Sequence, residues 1–159
     1  MGDGTIRIGD FGLTRRHENS GYYRIKSDDI RLPIFWIAPE CFQTYKFTEN
    51  TDVWSFGVCL FEIFSLGDTP YAGVSDLSKF LKNDRLGEPK YSSKKIYEFM
   101  NLCWGTDPLF RPNFKMCSDF FKDQLKTLSK EGHQVLENKL DSILEKRCDT
   151  ECWIRRESE

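Results

Sequence analysis

From Val53 to Phe64, apolar side chains fall on nearly every side of a helical wheel: Val53, Trp54, Phe56, Val58, Leu60, Phe61, Ile63 and Phe64. A helix at the surface shows one apolar stripe, whereas one that is apolar all round is the helix about which others pack, so this segment is read as the centre of a domain. Asn50 and Thr51 offer N-cap oxygens, Asp52 suits the positive end of the helix dipole, and Gly67 stops the helix.

Elsewhere the period changes. Thr5-Ile6-Arg7-Ile8 alternates and carries β-branched residues, which predicts a short strand feeding the turn Gly9-Asp10-Phe11-Gly12. Residues 14–31 mix charges with Ser20, Gly21 and the pair Tyr22-Tyr23 and show no apolar period, the pattern of an exposed loop. Pro39 at a first-turn position predicts a short helix ending near Tyr45. Further helices are expected over about 74–82, 93–103 and from Pro112 to about Leu128. Past Gly132, residues Leu136, Leu140, Ile143 and Leu144 share one helical face, which predicts an amphipathic tail helix. The fold class read from this pattern is mainly α.

With 39% hydrophobic and 14% aromatic residues, the 159-residue chain can supply a sizeable core. Lys and Arg total 23 against 25 Asp and Glu, a formal charge of -2, which gives no basic surplus for nucleic acid. The apolar run 53–66 contains Glu62 and is shorter than the roughly 20 residues a bilayer requires, so no membrane span is expected. The six cysteines lack the density of a secreted disulfide scaffold, which favours a reducing compartment. Cys148 and Cys152 lie four apart, but neither His17 nor His133 is placed to complete a metal site with them.

Four motifs stand in order: Asp10-Phe11-Gly12 after the expected strand, Trp36-Ile37-Ala38-Pro39-Glu40, Asp52-Val53-Trp54-Ser55-Phe56-Gly57 on the central helix, and Cys103-Trp104 through Asp107-Pro108 to Arg111-Pro112-Asn113-Phe114. Together they resemble the protein kinase family over about residues 5 to 128, in the C-terminal lobe from Asp-Phe-Gly onward. Leu32-Pro33-Ile34-Phe35-Trp36 is similar to the tyrosine branch. Phe35 and Tyr22-Tyr23 look like the Janus kinases, while Leu66-Gly67-Asp68-Thr69-Pro70-Tyr71 looks like receptor tyrosine kinases, and the subfamily stays open.

The resemblance implies roles residue by residue. Asp10 would hold magnesium against the phosphates of ATP, with Phe11 packed in the core and Gly12 letting the backbone switch. Tyr22 and Tyr23 would be phosphorylation sites, with Arg15, Arg16 and Arg24 as candidate partners for the phosphate. Pro33, Phe35 and Trp36 would form a platform for tyrosine-containing protein substrates. Glu40 and Arg111 would make a structural ion pair, and Asp52 and Trp54 would be scaffold. The expected location is cytoplasmic, or the intracellular portion of a membrane receptor.

The family's chemistry also needs a Gly-rich loop, a lysine with its glutamate, and the aspartate and asparagine of a catalytic loop. No His-Arg-Asp occurs in this sequence. The expectation is a partial kinase domain over 1–128 and a helical or frayed tail over 129–159, needing an upstream kinase lobe as partner and inactive alone. The alternatives are a non-catalytic interaction module or a pseudokinase remnant.

Overall fold

The computed structural model describes residues 6–16, 21–24, 33–73 and 84–127. Two compact units divide the chain, Met1–Phe114 and Lys115–Glu159. Among the described residues the architecture is mainly helical, and no helix is long and apolar enough to cross a membrane.

The first unit is built on α2, Glu49–Ser65. Its N-cap is Thr48, two residues ahead of the expected Asn50 and Thr51. Thr51 N–H donates to Thr48 Oγ1 and Thr48 N–H donates to Thr51 Oγ1, so each residue satisfies a backbone donor of the other. At the other end Leu66 already turns left-handed, at φ 63, and Gly67 N–H closes on Glu62 C=O at 2.8 Å. The expected stop at Gly67 therefore falls one residue early.

Val53, Trp54, Val58 and Leu60 of α2 are buried, but Cys59 is exposed and Ile63 is 61% exposed. The helix is thus not covered on every side, because no described element packs over the flank that carries these two residues.

Helix α3, Lys94–Cys103, starts where the sequence predicts, with Ser93 Oγ accepting from Ile96 N–H. It packs on α2 through Phe99, Met100 and Cys103. Gly57 is what allows the approach: a Cβ there would stand 2.6 Å from Trp104 Nε1 and 2.8 Å from Cys103 Cβ. The short helix α1, Cys41–Thr44, ends on Tyr45 in the left-handed region at φ 53.

Strands β1, Tyr23–Arg24, and β2, Lys46–Phe47, pair antiparallel, Tyr23 opposite Phe47 and Arg24 opposite Lys46. The alternating Ile6–Ile8 run forms no ladder. Strand geometry needs a neighbour to take its backbone groups, none of the described residues supplies one, and Ile6 and Ile8 stand 95% and 86% exposed.

Helix α4, Phe114–Thr127, carries the exposed pair Lys115–Asp119 at 2.9 Å, which holds the Asp119 carboxyl below its ordinary range. The helices expected at 74–82 and in the tail, and the Cys148/Cys152 pair, lie outside the described residues.

Candidate functional site

Asp10 begins the site with an unusual backbone. Its φ of 57 and ψ of 67 put a non-glycine residue in the left-handed region, which Asp tolerates better than most because its short side chain bonds locally. Phe11–Leu13 then form one 3-10 turn, closed by Thr14 N–H on Phe11 C=O. Arg15 folds back on this turn, donating from one guanidinium nitrogen to Gly12 C=O and Thr14 C=O, both at 2.9 Å. The Asp10 carboxylate lies near Gly12, 3.4 Å from where a Cβ would sit there. Phe11 is 65% exposed rather than packed in a core, since no described element stands beside it.

Tyr23 lies in β1, and Tyr22 immediately precedes it. Lys46 Nζ lies 4.4 Å from the centroid of the Tyr22 ring, and Tyr23 faces Phe47 across the ladder. Of the arginines expected beside these tyrosines, Arg15 is spent on the Asp10 turn, Arg16 is exposed, and Arg24 stands opposite Lys46. Sequence reasoning missed Lys46, because nothing in the sequence links it to Tyr22.

Pro33 leads into a 3-10 turn, Ile34–Trp36, that is fastened to α2 at two points. Trp36 Nε1 donates to Glu62 Oε2 at 2.9 Å, and Ser55 Oγ donates to the Trp36 carbonyl at 2.6 Å. Phe35 stacks, tilted, on Tyr71 with centroids 5.6 Å apart. Burial pushes the Tyr71 phenol up to about 12, Asp84 adding to it and Arg85 opposing it.

Glu40 and Arg111 meet in a forked pair, Nη1 to Oε1 at 2.7 Å and Nη2 to Oε2 at 2.9 Å. The same guanidinium donates to Gly105 C=O at 2.9 Å and Asn50 C=O at 3.0 Å, so one buried cation ties the segments of Glu40 and Asn50 to its own turn. Trp54 lies beneath it: Arg111 and Arg85 stand 5.0 and 4.6 Å from its ring centroid. Arg85, which also donates to Trp104 C=O at 2.9 Å, has its pKa lowered by burial. Asp52 reaches solvent at the start of α2, yet crowding by protein raises its carboxyl above the ordinary range, with Glu49 adding repulsion.

The family model for protein tyrosine and serine/threonine kinases matches residues 2–121. The chain belongs to that family. Similar kinases include the tyrosine-protein kinase receptor ver-3 of Caenorhabditis elegans, 40% identical over 94% of this chain and 13% of its own length. The tyrosine-protein kinase receptor old-1 of the same organism is 42% identical over 96% of this chain and 32% of its own length. A fibroblast growth factor receptor of Ciona intestinalis is 47% identical over 71% of this chain and 15% of its own length. The chain therefore spans less than a third of the length of each of these relatives.

Among the described residues no group of three or more His, Cys, Asp or Glu gathers, and the Asp10 carboxylate is exposed.

Proposed function

We propose that this chain is part of a protein tyrosine kinase that transfers the γ-phosphate of ATP to a tyrosine of a protein substrate, and that the 159-residue chain alone does not perform the transfer. The kinase portion is residues 1–128, and 129–159 form a tail. The observation that carries this reading is the double fastening of Trp36 to α2, which holds in place the turn that we take, with Pro33, Phe35 and Trp36, as the platform for a peptide substrate.

In this reading Asp10 supplies an oxygen ligand to Mg2+, which when bound neutralises the phosphate charge of ATP. Phe11 and Gly12 shape the turn that presents it. Tyr22 and Tyr23 are phosphorylation sites. Glu40 and Arg111 brace the platform against α2 and the turn before α4, and Asp52 and Trp54 support that brace. The aspartate that accepts the proton of the substrate hydroxyl, and the lysine that reaches the phosphates, belong to motifs that this sequence lacks and come from an upstream kinase lobe. The receptor names of the relatives favour the cytoplasmic portion of a membrane receptor as the parent.

The test is phosphate transfer to a tyrosine-containing polymer from labelled ATP and Mg2+. The purified 159-residue chain should give background counts, and a longer product carrying the upstream lobe should give transfer that Asp10→Asn abolishes. Transfer by the short chain, freed of contaminating kinase, would overturn the first part. A longer product that is inert would overturn the second.

A further inference from the structure

We propose that Arg85 is a positioning residue of the peptide platform: through Tyr71 it holds the orientation of Phe35, and on the Trp54 ring it shares an anchor with the Arg111–Glu40 pair at the other end of the same segment. The inference rests on the reading of Pro33, Phe35 and Trp36 as that platform.

Two guanidiniums lie against one indole. Arg85 and Arg111 stand 4.6 and 5.0 Å from the centroid of Trp54, a ring with 0% exposure to solvent. They also hold adjacent carbonyls. Arg85 Nε donates to Trp104 C=O and Arg111 Nε donates to Gly105 C=O, both at 2.9 Å. Arg85 Nη2 adds a longer bond, 3.4 Å, to Thr106 Oγ1. The Arg85 group is thus fixed by its face and by its edge, which a planar fork allows and a point charge does not.

Two cations this close repel, and Arg111 acts with burial to lower the Arg85 pKa. The repulsion is offset by the indole face, by the carbonyls, and by the field of Glu40, which reaches Arg85 as well as Arg111. Arg85 is therefore coupled to the carboxylate that follows the platform in sequence.

Tyr71 links the same cation to the other end. It is buried, its backbone is left-handed at φ 54, and its ring carries Phe35 at 5.6 Å. A tyrosine keeps that backbone only where its surroundings hold it. Arg85 is one of those surroundings, because each of the two groups shifts the titration of the other. Contacts then run from Phe35 through Tyr71, Arg85, Trp54 and Arg111 to Glu40, so the platform is closed into a ring of contacts and not joined by its backbone alone. A peptide side chain that leans on Phe35 meets an aromatic ring that is braced from behind.

The experiment encodes 4-fluorophenylalanine at position 35 of the full chain, or at position 56 as the control, and reads the fluorine resonance. Phe56 lies on the same helix as Trp54 and stacks on Phe114. Arg85→Gln should shift the line from position 35 by more than its width and leave the line from position 56 in place. Arg85→Lys should shift the first line too, since an ammonium cannot lie flat on Trp54 and reach both Trp104 and Thr106. In a Tyr71→Leu background, Arg85→Gln should leave the position 35 line where Tyr71→Leu alone puts it. An unmoved line in Arg85→Gln, full restoration by lysine, or an equal shift with and without Tyr71 would each overturn the proposal. So would the two lines moving together in both variants, the mark of general loosening. None of these readouts needs phosphate transfer, so a failure here leaves the kinase reading standing, and an inert longer product leaves this brace standing.

Discussion

Arg111 grips Glu40 across 71 positions of sequence, and it does so as a fully buried cation against a carboxylate that keeps 25% of its side chain exposed. The pair is asymmetric. Removing the carboxylate strands a charge that cannot reach water, whereas removing the cation frees a carboxylate that can.

Glu40→Ala should therefore cost about 3–5 kcal/mol of unfolding free energy, the range for an uncompensated buried charge. Arg111→Lys should also destabilise, since a point ammonium cannot make the fork and still reach Gly105 and Asn50. Urea unfolding of the two variants checks both, and a cost below about 1 kcal/mol for Glu40→Ala would count against the pair as a brace.

Gly57→Ala should cost about 1–3 kcal/mol, because the new methyl meets the Trp104 indole and Cys103 Cβ, both buried and unable to retreat. Gly87→Ala is the control. It has no heavy atom within 4 Å of the added carbon, and its effect should stay within about 0.5 kcal/mol.

Thr48→Ala should destabilise α2 by about 1 kcal/mol and speed amide exchange in its first turn, while Thr48→Ser retains the hydroxyl and most of the stability. An unchanged first turn in Thr48→Ala would show that the reciprocal cap contributes little.

Alkaline pH should unfold the first unit. Cys41 is pushed from 9.0 to about 12, chiefly by burial with Glu40 adding, and Tyr71 from 10.0 to about 12. Both groups are held neutral in the folded state and ionise more readily once unfolded. Their contribution is complete below about pH 9 and is lost as pH rises toward 12, at up to about 1.4 kcal/mol per pH unit for each group. Stability measured from pH 8 to 11 should fall, and Cys41→Ser should flatten the start of the fall.

At pH 8, iodoacetamide should modify Cys59 well before Cys41. Cys59 is exposed although partial burial and Glu62 raise its pKa, while Cys41 is 3% exposed and bonded to the Lys46 carbonyl. Peptide mapping after partial alkylation distinguishes them; equal rates would mean that α1 opens freely.

The helices were legible because their signals are local: Ser93 announces α3 by cap chemistry, and the dense apolar run announces α2. The start of α2 was misplaced because Thr48 and Thr51 cap each other as a pair of threonines, not as the Ser/Thr with Glu/Gln that the usual signature contains. Glu40 with Arg111 was reached only through family resemblance, since no period links residues so distant. Trp36 with Glu62, Lys46 with Tyr22, and Arg85 over Trp54 had no sequence signal, because each depends on how segments come together after the helices form.

Trp36 hangs from α2 by its ring nitrogen and by its carbonyl, so the turn that holds it inherits the rigidity of a 17-residue helix. The ribbon that carries Tyr23 joins the same helix at another place, beside its cap. Selection can therefore rewrite the tyrosine segment without reshaping the turn at Trp36, and can retune that turn through Phe35 or Tyr71 without disturbing the ribbon. Two properties that sit close together in sequence are free to evolve apart.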